Sequence, residues 1–261
     1  MTVFGIPIEG APFEEIERQI IDRPPERGPF WVVTANPEIL LEARRDPEYA
    51  KVLLQADVRS VDGFGLWLML KLFGQWTARV PGIDLAESVL AVAEKNGWRV
   101  GMIGGGQADT SRKAVDELKR FFPRLVVLPE WGGRVSPEGS DDESGEEARH
   151  RLTLFAPQVL FVAFGHPKQE RWIARYLADF PTVKVVIGVG GTFDFWAGTA
   201  RRAPKLLRSV GLEWLWRLMT EPRRIGRIWN AVVVFPLLFL WEKALFRKEH
   251  SGNESSDFEG K

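Results

Sequence analysis

Short apolar runs alternate with segments of helical periodicity along most of the chain. The clearest run, residues 159–164, contains no polar side chain, which is typical of a strand buried on both faces of a sheet. Apolar side chains then recur at Trp172, Ile173 and Tyr176, the spacing of one helix face. The alternation predicts an α/β fold, a Rossmann-like parallel sheet with helices on both faces. Further strands are predicted at residues 30–33, within 53–61, and at 98–103, 125–128 and 183–189, and helices at 13–21, 37–45, 66–73, 85–95 and 108–121.

Polar side chains follow several of these strands at the point where the chain leaves the sheet. Thr34 and Asn36 follow one predicted strand, Asp62 follows the next, and Gln169 follows the apolar run described above. Ligands of open parallel sheets bind at the carboxyl ends of the strands, and helix N-termini there favour anions. A simpler role is also open for Asn36 and Asp62, because these residue types commonly cap the first turn of a helix.

A glycine turn, Gly104-Gly105-Gly106, links a predicted strand to a predicted helix. Such a unit resembles a phosphate-binding turn and raises the alternative of a nucleotide-dependent oxidoreductase. The turn departs from the dinucleotide fingerprint, because Ala108 and Asp109 stand where its last glycine is expected. A tight turn that requires positive φ explains the glycines nearly as well.

Composition narrows the possible partners and sites. The chain has no cysteine, which excludes disulfides, thiolate zinc sites and cysteine nucleophiles. Its formal net charge is zero, which argues against a general nucleic-acid partner. The charge is uneven, with an acidic patch at residues 141–147 and a basic final third, and the polar residues 129–147 are expected to form a mobile loop. The first residues do not resemble a signal peptide.

The last third of the chain predicts a helical appendage, with helices at residues 205–219 and 223–247. Residues 231–241 are apolar without interruption, but a spanning helix needs about 20 such residues, so we expect no bilayer crossing. Tryptophans such as Trp229 and Trp241, mixed with arginines, suit a helix lying on anionic lipid. The alternative is a helix packed on the core or on another subunit. The expected domains are an α/β core at 1–200, this appendage at 201–248 and a disordered tail at 249–261.

A set of short motifs occurs in a fixed order along the chain. Together they resemble the WecG/TagA/CpsF family of bacterial glycosyltransferases, from about residue 3 to residue 241. The motifs are Thr34-Ala35-Asn36-Pro37, Asp62-Gly63, Arg79 with Pro81-Gly82-Ile83-Asp84-Leu85, Gly104-Gly105-Gly106, Gly165-His166-Pro167-Lys168-Gln169-Glu170, Gly188-Val189-Gly190-Gly191-Thr192-Phe193-Asp194, Gly198 with Arg202-Ala203-Pro204, and Gly211-Leu212-Glu213-Trp214-Leu215-Trp216-Arg217 with Glu221-Pro222.

This resemblance implies an inverting, metal-independent hexosyltransferase without a cofactor. Family members move N-acetylmannosamine, its uronic acid or a related sugar from a UDP donor to a sugar on a polyprenyl diphosphate. The products feed teichoic acid linkage units, enterobacterial common antigen or exopolysaccharide. The implied location is the cytoplasmic face of the cell membrane, with the appendage on the membrane surface, a possible homo-oligomer and no nucleic-acid partner.

The resemblance also implies residue roles. Asp62 matches the candidate base that would take the proton from the acceptor hydroxyl, and Thr34, Asn36, Arg79 and Gln169 match substrate-contacting positions. No Asp-x-Asp metal motif is present, so cations are expected to stabilise the departing UDP. The candidate cations of the appendage are Arg217, Arg223, Arg224 and Arg227. A non-catalytic, membrane-associated binding protein on the same fold is the remaining alternative.

Overall fold

The computed structural model of the protein describes residues 1–209, 211–222 and 225–253. Its centre is a six-stranded, wholly parallel sheet in the order β4-β3-β8-β7-β5-β6, which confirms the predicted Rossmann-like α/β fold. A small antiparallel hairpin, β1 and β2, precedes it. The strands are β1 Thr2–Val3, β2 Ile6–Pro7, β3 Phe30–Ala35, β4 Val58–Val61, β5 Arg99–Gly104, β6 Val126–Glu130, β7 Val159–Ala163 and β8 Val185–Gly188.

Helices cover both faces of the sheet. The sequence predicted those between residues 13 and 121 to within about three residues at each end, with the exception of α3. It missed α3 and the short helix α9, and the helix expected at 205–219 is interrupted. The helices are α1 Phe13–Ile21, α2 Pro37–Arg45, α3 Pro47–Leu54, α4 Phe64–Leu72, α5 Gly82–Asn96, α6 Thr110–Phe121, α7 Glu143–Phe155, α8 Lys168–Tyr176, α9 Thr192–Trp196, α10 Lys205–Ser209, α11 Glu213–Thr220, α12 Ile225–Trp229 and α13 Phe235–Asn253, with a π-helical turn at Asn230–Val234.

Alternating strand residues divide the core into two apolar clusters, one on each face of the sheet. Trp31 and Val33 of β3 face the cluster formed with α2, α3, α4, α7 and α8. Phe30 and Val32 face the cluster formed with α1, α5, α6 and α9. Burial on both faces explains why the strands are apolar without alternation.

The loop between β6 and α7 is anchored, in contrast to the mobile loop expected there. Arg171 of α8 donates to the Pro137 carbonyl at 2.6 Å. The Asp141 side chain is only 3% exposed and accepts from Arg149 at 3.0 Å. Asp142 caps α7 by accepting from the backbone of Gly145 at 2.9 Å. Asp141 and Asp142, two residues of the expected acidic patch, therefore make contacts within the protein that hold this loop and the start of α7 in place.

The C-terminal arm, defined as residues 211–222 and 225–253, packs on the layer of α2 and α4. Phe235 and Phe239 of α13 are fully buried in the first cluster, beside Phe4 and Phe73 with ring centroids 5.8 and 5.3 Å apart. The Glu242 carboxylate accepts from the backbone of Phe4 at 3.0 Å. The N-terminal hairpin therefore helps to hold the arm against the core.

The arm contains one helical stretch, Ile225–Ala244, that is long and apolar enough by composition to cross a membrane. Its mean hydropathy is 1.4 and only 11% of it is buried. The expectation that the arm does not cross a bilayer was based on the shorter apolar run at residues 231–241. The length of the helical stretch in the structure does not support that expectation. Helix α13 extends to Asn253, beyond the predicted start of the tail at residue 249. The rest of that tail lies outside the described residues.

Candidate active site

A polar cavity of about 720 Å³ opens at the carboxyl ends of the strands. The chain exits from β3, β4, β7 and β8 line it, together with α11 of the arm. Because β3 pairs directly with β8, the exits of two strands that are distant in sequence lie side by side. The sheet therefore brings Thr34, Asn36, Asp62 and Gln169 to one wall of a single cavity.

Thr34 and Asn36 have local contacts that limit their freedom. The Thr34 hydroxyl lies 3.4 Å from the Gly188 carbonyl of the neighbouring strand. The Asn36 side-chain oxygen accepts from the backbone of Glu38 and Ile39 at 3.0 and 3.1 Å. The predicted capping role of Asn36 is therefore confirmed, and its amide nitrogen is the group left to meet a ligand.

Asp62 does not cap the following helix, so the alternative offered for it is wrong. Helix α4 starts after Gly63 without a side-chain cap, and the Asp62 carboxylate instead accepts from the adjacent Gly63 backbone at 2.7 Å and from the backbone of Gly82. Protein atoms surround the carboxyl, although part of it remains accessible from the cavity. Burial raises the pKa of Asp62 to about 6, with Glu213 adding to the rise while Gly63 and Arg217 oppose it. A carboxylate with such a pKa is suited to proton transfer near neutral pH.

A second cavity, of about 400 Å³ and mostly apolar, adjoins the first. We call it the groove; it lies between α4, α11 and the later part of the arm at residues 228–236. Arg79 lines the groove and not the polar cavity, whereas Thr34 and Gln169 line only the polar cavity. Five residues line both and form the neck between them: Asn36, Asp62, Pro81, Glu213 and Arg217. The candidate base therefore stands at the boundary of two chemically different compartments.

The appendage cations are in different places. Arg217 lies in the neck, 3.5 Å from Glu213 and 5.2 Å from the ring centroid of Phe195. Arg227 instead donates through Nε to Glu38 at 2.9 Å and lines neither cavity. Arg223 and Arg224 lie outside the described residues. Of the proposed set, Arg217 is the cation that the structure places beside Asp62.

Gln169 joins two loops from beneath the cavity. Its side-chain oxygen accepts from the backbone of Gly165 at 3.2 Å and of Gly190 at 3.0 Å. Its nitrogen donates to Glu170 at 2.8 Å, and Tyr49 donates to the same carboxylate at 3.0 Å. Burial raises the pKa of Glu170, opposed by these two hydrogen bonds. We call Tyr49, Gln169 and Glu170 the buried clamp.

Other residues also line the cavity: Gly106 belongs to the glycine turn singled out by sequence, whereas Arg201 and Arg202 were given no role there. Gly106 of the glycine turn lies in the cavity wall, and Gly104 cannot carry a side chain because a Cβ there would lie 2.7 Å from the Ala163 backbone. Arg201 and Arg202 reach the wall from the start of the appendage, with Arg202 2.7 Å from Asp84. The signal available in the sequence for Arg202 was its place in the motif Arg202-Ala203-Pro204. Among the described residues, no group of acidic residues and histidines is arranged to hold a metal ion.

Comparison with known proteins places this geometry in a family. The model of the "Glycosyl transferase WecG/TagA/CpsF family" matches residues 1–249. A Bacillus spizizenii protein named N-acetylglucosaminyldiphosphoundecaprenol N-acetyl-beta-D-mannosaminyltransferase is 33% identical over 223 residues, 85% of this chain and 83% of its own. A Staphylococcus aureus protein of the same name is 33% identical over 200 residues, 76% and 75% of the two chains. The oxidoreductase and the non-catalytic binding protein are thereby set aside, and the chain belongs to the WecG/TagA/CpsF family as a hexosyltransferase.

Proposed function

We propose that the protein transfers N-acetylmannosamine, or a related sugar such as its uronic acid, from a UDP donor to a sugar on a polyprenyl diphosphate. The observation that carries this proposal is the position of Asp62, at the neck between a polar cavity and an apolar groove. A transferase of this kind has a hydrophilic donor and an acceptor with an apolar tail. Its base must lie where the two substrates meet.

The polar cavity is the donor side. It has room for a nucleotide sugar, since small-ligand sites occupy roughly 300–1,000 Å³ and this one has about 720 Å³. Arg201, Arg202 and Arg217 line it and supply positive charge for a diphosphate. The same cations would stabilise the charge that develops on UDP as it leaves, which supports a reaction without a metal.

The position of Asp62 in the neck supports a single-displacement reaction, in which the acceptor hydroxyl replaces UDP on the sugar in one step. The Asp62 carboxylate would take the proton of the acceptor hydroxyl while that oxygen forms a bond to the anomeric carbon and the bond to UDP breaks. The two relatives are named for a β-mannosaminyl product. Formation of a β product from an α-linked nucleotide sugar inverts the anomeric carbon, which agrees with one base and no covalent intermediate.

The outer surface of the arm supports work at a membrane face. Its exposed apolar side chains include Trp229, Leu237 and Trp241, of which Leu237 is 62% exposed. The buried Phe235 and Phe239 fix the opposite side of the helix to the core. The docked side of the helix and its exposed apolar side support a position along the bilayer surface, with the apolar side in the lipid interface. We therefore infer that the arm lies on a membrane surface, and the UDP-sugar donor proposed above favours the inner face of the cell membrane.

The test is a turnover assay with UDP-N-acetylmannosamine and a lipid-linked N-acetylglucosamine diphosphate, run in EDTA. We expect UDP release that requires the acceptor, and a disaccharide product with inverted configuration by NMR. Acceptor-dependent release that stops in EDTA would contradict metal independence. If the protein binds UDP but does not release UDP from UDP-N-acetylmannosamine, the donor carries another sugar of the proposed class, such as the uronic acid.

A further inference from the structure

A connecting segment, residues 197–204, leads from α9 to α10 and borders the polar cavity. Its residues 199–202 line that cavity, and two of them are the cations Arg201 and Arg202. The segment contains no helix or strand. Contacts with neighbouring elements must therefore fix the position of its two arginines.

Helix α5 holds the connecting segment from the core. The carboxylate of Asp84, in the first turn of α5, pairs with Nη1 of Arg202 at 2.7 Å. One turn further along, Glu87 accepts from Nε1 of Trp196, just ahead of the segment, at 3.2 Å. Asp84 lines neither the polar cavity nor the groove. It can therefore influence a ligand in the polar cavity chiefly through Arg202.

The arm holds the same segment at the adjacent residue. Trp216 of α11 donates through Nε1 to the Arg201 carbonyl at 3.1 Å, and it too lines neither cavity. The backbone N–H groups of Thr199 and Ala200 donate to the Asp194 carbonyl, each at 3.0 Å. The core and the arm thus fix two consecutive arginines from outside the cavity.

The contact with Asp84 leaves one edge of the Arg202 guanidinium for a ligand. The guanidinium is planar and carries five N–H donors, of which Nη1 is directed to Asp84. Its Nε is buried and has no hydrogen-bond partner among the described residues. Nε and Nη2 share one edge of the plane, and that edge matches two oxygens of a phosphate. A phosphate there would satisfy a buried donor that is costly to leave unpaired.

Arg217 carries its charge in a different arrangement. Its partner Glu213, at 3.5 Å, lines the same cavity, so an anion beside Arg217 also meets a carboxylate. The partner of Arg202 lies outside the cavity wall, and its side chain is 41% exposed, so solvent screens its charge. Arg202 therefore presents its cation to the cavity with the counter-ion behind it.

We propose that Asp84 is a positioning residue for the sugar donor, which holds the Nε–Nη2 edge of Arg202 toward a phosphate of UDP. Trp216 supports this arrangement by fixing the backbone of Arg201. The inference rests on the proposed function, because it assigns residues that orient the diphosphate of that donor. An acidic residue in the first turn of a helix also offsets the helix dipole, but that role does not require a contact with Arg202.

Binding of UDP and of uridine tests the role of Asp84, with calorimetry for UDP and ligand-observed NMR for uridine. Asp84→Ala should weaken UDP binding about three- to tenfold, because the long Arg202 side chain must then be ordered when UDP binds. The affinity for uridine, which has no phosphate, should not change. Glu87→Gln is the matched control, since it removes a charge from the same helix and keeps an acceptor for Trp196. It should bind UDP as the wild type does.

A double variant tests whether Asp84 acts through Arg202. Addition of Asp84→Ala to Arg202→Gln should change the UDP affinity by less than about twofold. A further loss as large as that of Asp84→Ala alone would overturn the proposal. Tighter UDP binding by Asp84→Ala would also overturn it, because Asp84 would then only reduce the positive charge of the cavity. Trp216→Phe, which removes the N–H donor and keeps an aromatic ring, should weaken UDP and not uridine.

Failure of the proposed function would give a different result. A wild-type protein that binds no UDP would refute the proposed donor and, with it, the role of Asp84. Equal UDP affinity of the wild type and Asp84→Ala would overturn only the positioning role. Thermal unfolding checks that the variants are folded. Asp84→Asn, which keeps the size of the side chain and removes its charge, replaces Asp84→Ala if that variant does not fold, and a smaller loss in the same direction is expected.

Discussion

Gln169 donates a hydrogen bond to the buried carboxylate of Glu170 at 2.8 Å, directly beneath the polar cavity. The same amide accepts from Gly165 and Gly190, so one side chain joins the exits of β7 and β8. A hydrogen-bonded carboxylate below the cavity thus controls which atom of the amide faces the loops. Gln169 has a positioning role here, in addition to any contact with substrate.

Disruption of the buried clamp should weaken donor binding. Glu170→Gln places an amide NH₂ against one of the two donors, Gln169 or Tyr49, and leaves a buried donor unpaired at a cost of about 1–3 kcal/mol. We expect a lower melting temperature and an affinity for UDP reduced at least several-fold, measured by calorimetry. Tyr49→Phe removes one donor without adding another and should be milder. Normal UDP affinity in a destabilised Glu170→Gln protein would limit the clamp to a structural role.

The two compartments predict separate kinetic effects for two arginines. Arg79→Gln should raise the KM for the lipid-linked acceptor and leave the dissociation constant of UDP nearly unchanged, because Arg79 lines only the groove. Arg202→Gln should weaken UDP instead, because Arg202 lines only the polar cavity. Loss of a charge-assisted hydrogen bond makes each effect about tenfold or more. If Arg79→Gln weakened UDP binding and Arg202→Gln raised the KM for the acceptor, the groove would be the donor side and the polar cavity the acceptor side.

The pKa of Asp62, raised to about 6, predicts a pH dependence of activity. The proposed reaction needs the ionised carboxylate, so kcat/KM should fall as pH decreases through 6 and reach about one tenth of its plateau at pH 5. A profile that is flat from pH 5 to 8 would contradict the role of Asp62 as base. Measurement of UDP affinity over the same range separates loss of the base from loss of binding.

The same shift predicts that Asp62 costs stability at neutral pH. The folded protein binds the Asp62 proton more tightly than the unfolded chain, whose carboxyl has a pKa near 3.8. Stability associated with this group is therefore present at low pH and is lost as pH rises through 6. Asp62→Asn should raise the free energy of unfolding at pH 8 by about 1–2 kcal/mol, allowing for the partial accessibility of the carboxyl. The gain should vanish near pH 4 in thermal melts, and a gain that persists there would have another cause.

Docking of the arm should depend on its two buried phenylalanines. Phe239→Ala removes a fully buried ring that contacts Phe73, at a cost of about 3–5 kcal/mol. Amide hydrogen exchange of residues 225–244 should accelerate strongly in this variant. Leu237→Ala, at a position 62% exposed on the same helix, is the control and should exchange as the wild type does. Unchanged exchange in Phe239→Ala would show that other contacts hold the arm.

Periodicity was sufficient to predict the sheet and most helices, because strands buried on both faces and amphipathic helices have different patterns. Helix α3 was missed although its signal is present: Asp46 accepts from the backbone of Glu48 and Tyr49 ahead of Pro47, as Asn36 does ahead of Pro37. The same pattern of a capping side chain followed by proline therefore marks the starts of both α2 and α3, ten residues apart.

The candidate site was predicted only as separate strand ends. Which ends adjoin depends on strand order, and β3 pairs with β8 across more than 150 residues of sequence. The division into two compartments depends on the docking of the arm over α4, which no local pattern encodes. For the same reason the sequence could not distinguish Arg227, which pairs with Glu38, from Arg217, which lies in the neck.

The most direct test of the central claim compares acceptor-dependent UDP release by the wild-type protein and Asp62→Asn at pH 8. The variant keeps the size and polarity of the side chain and removes its capacity to accept a proton. We predict a rate reduced by about 10²–10⁴-fold, with the dissociation constant of UDP unchanged and the melting temperature not lowered. Release by Asp62→Asn at the wild-type rate would contradict the assignment of Asp62 as the base at the junction of the two substrates.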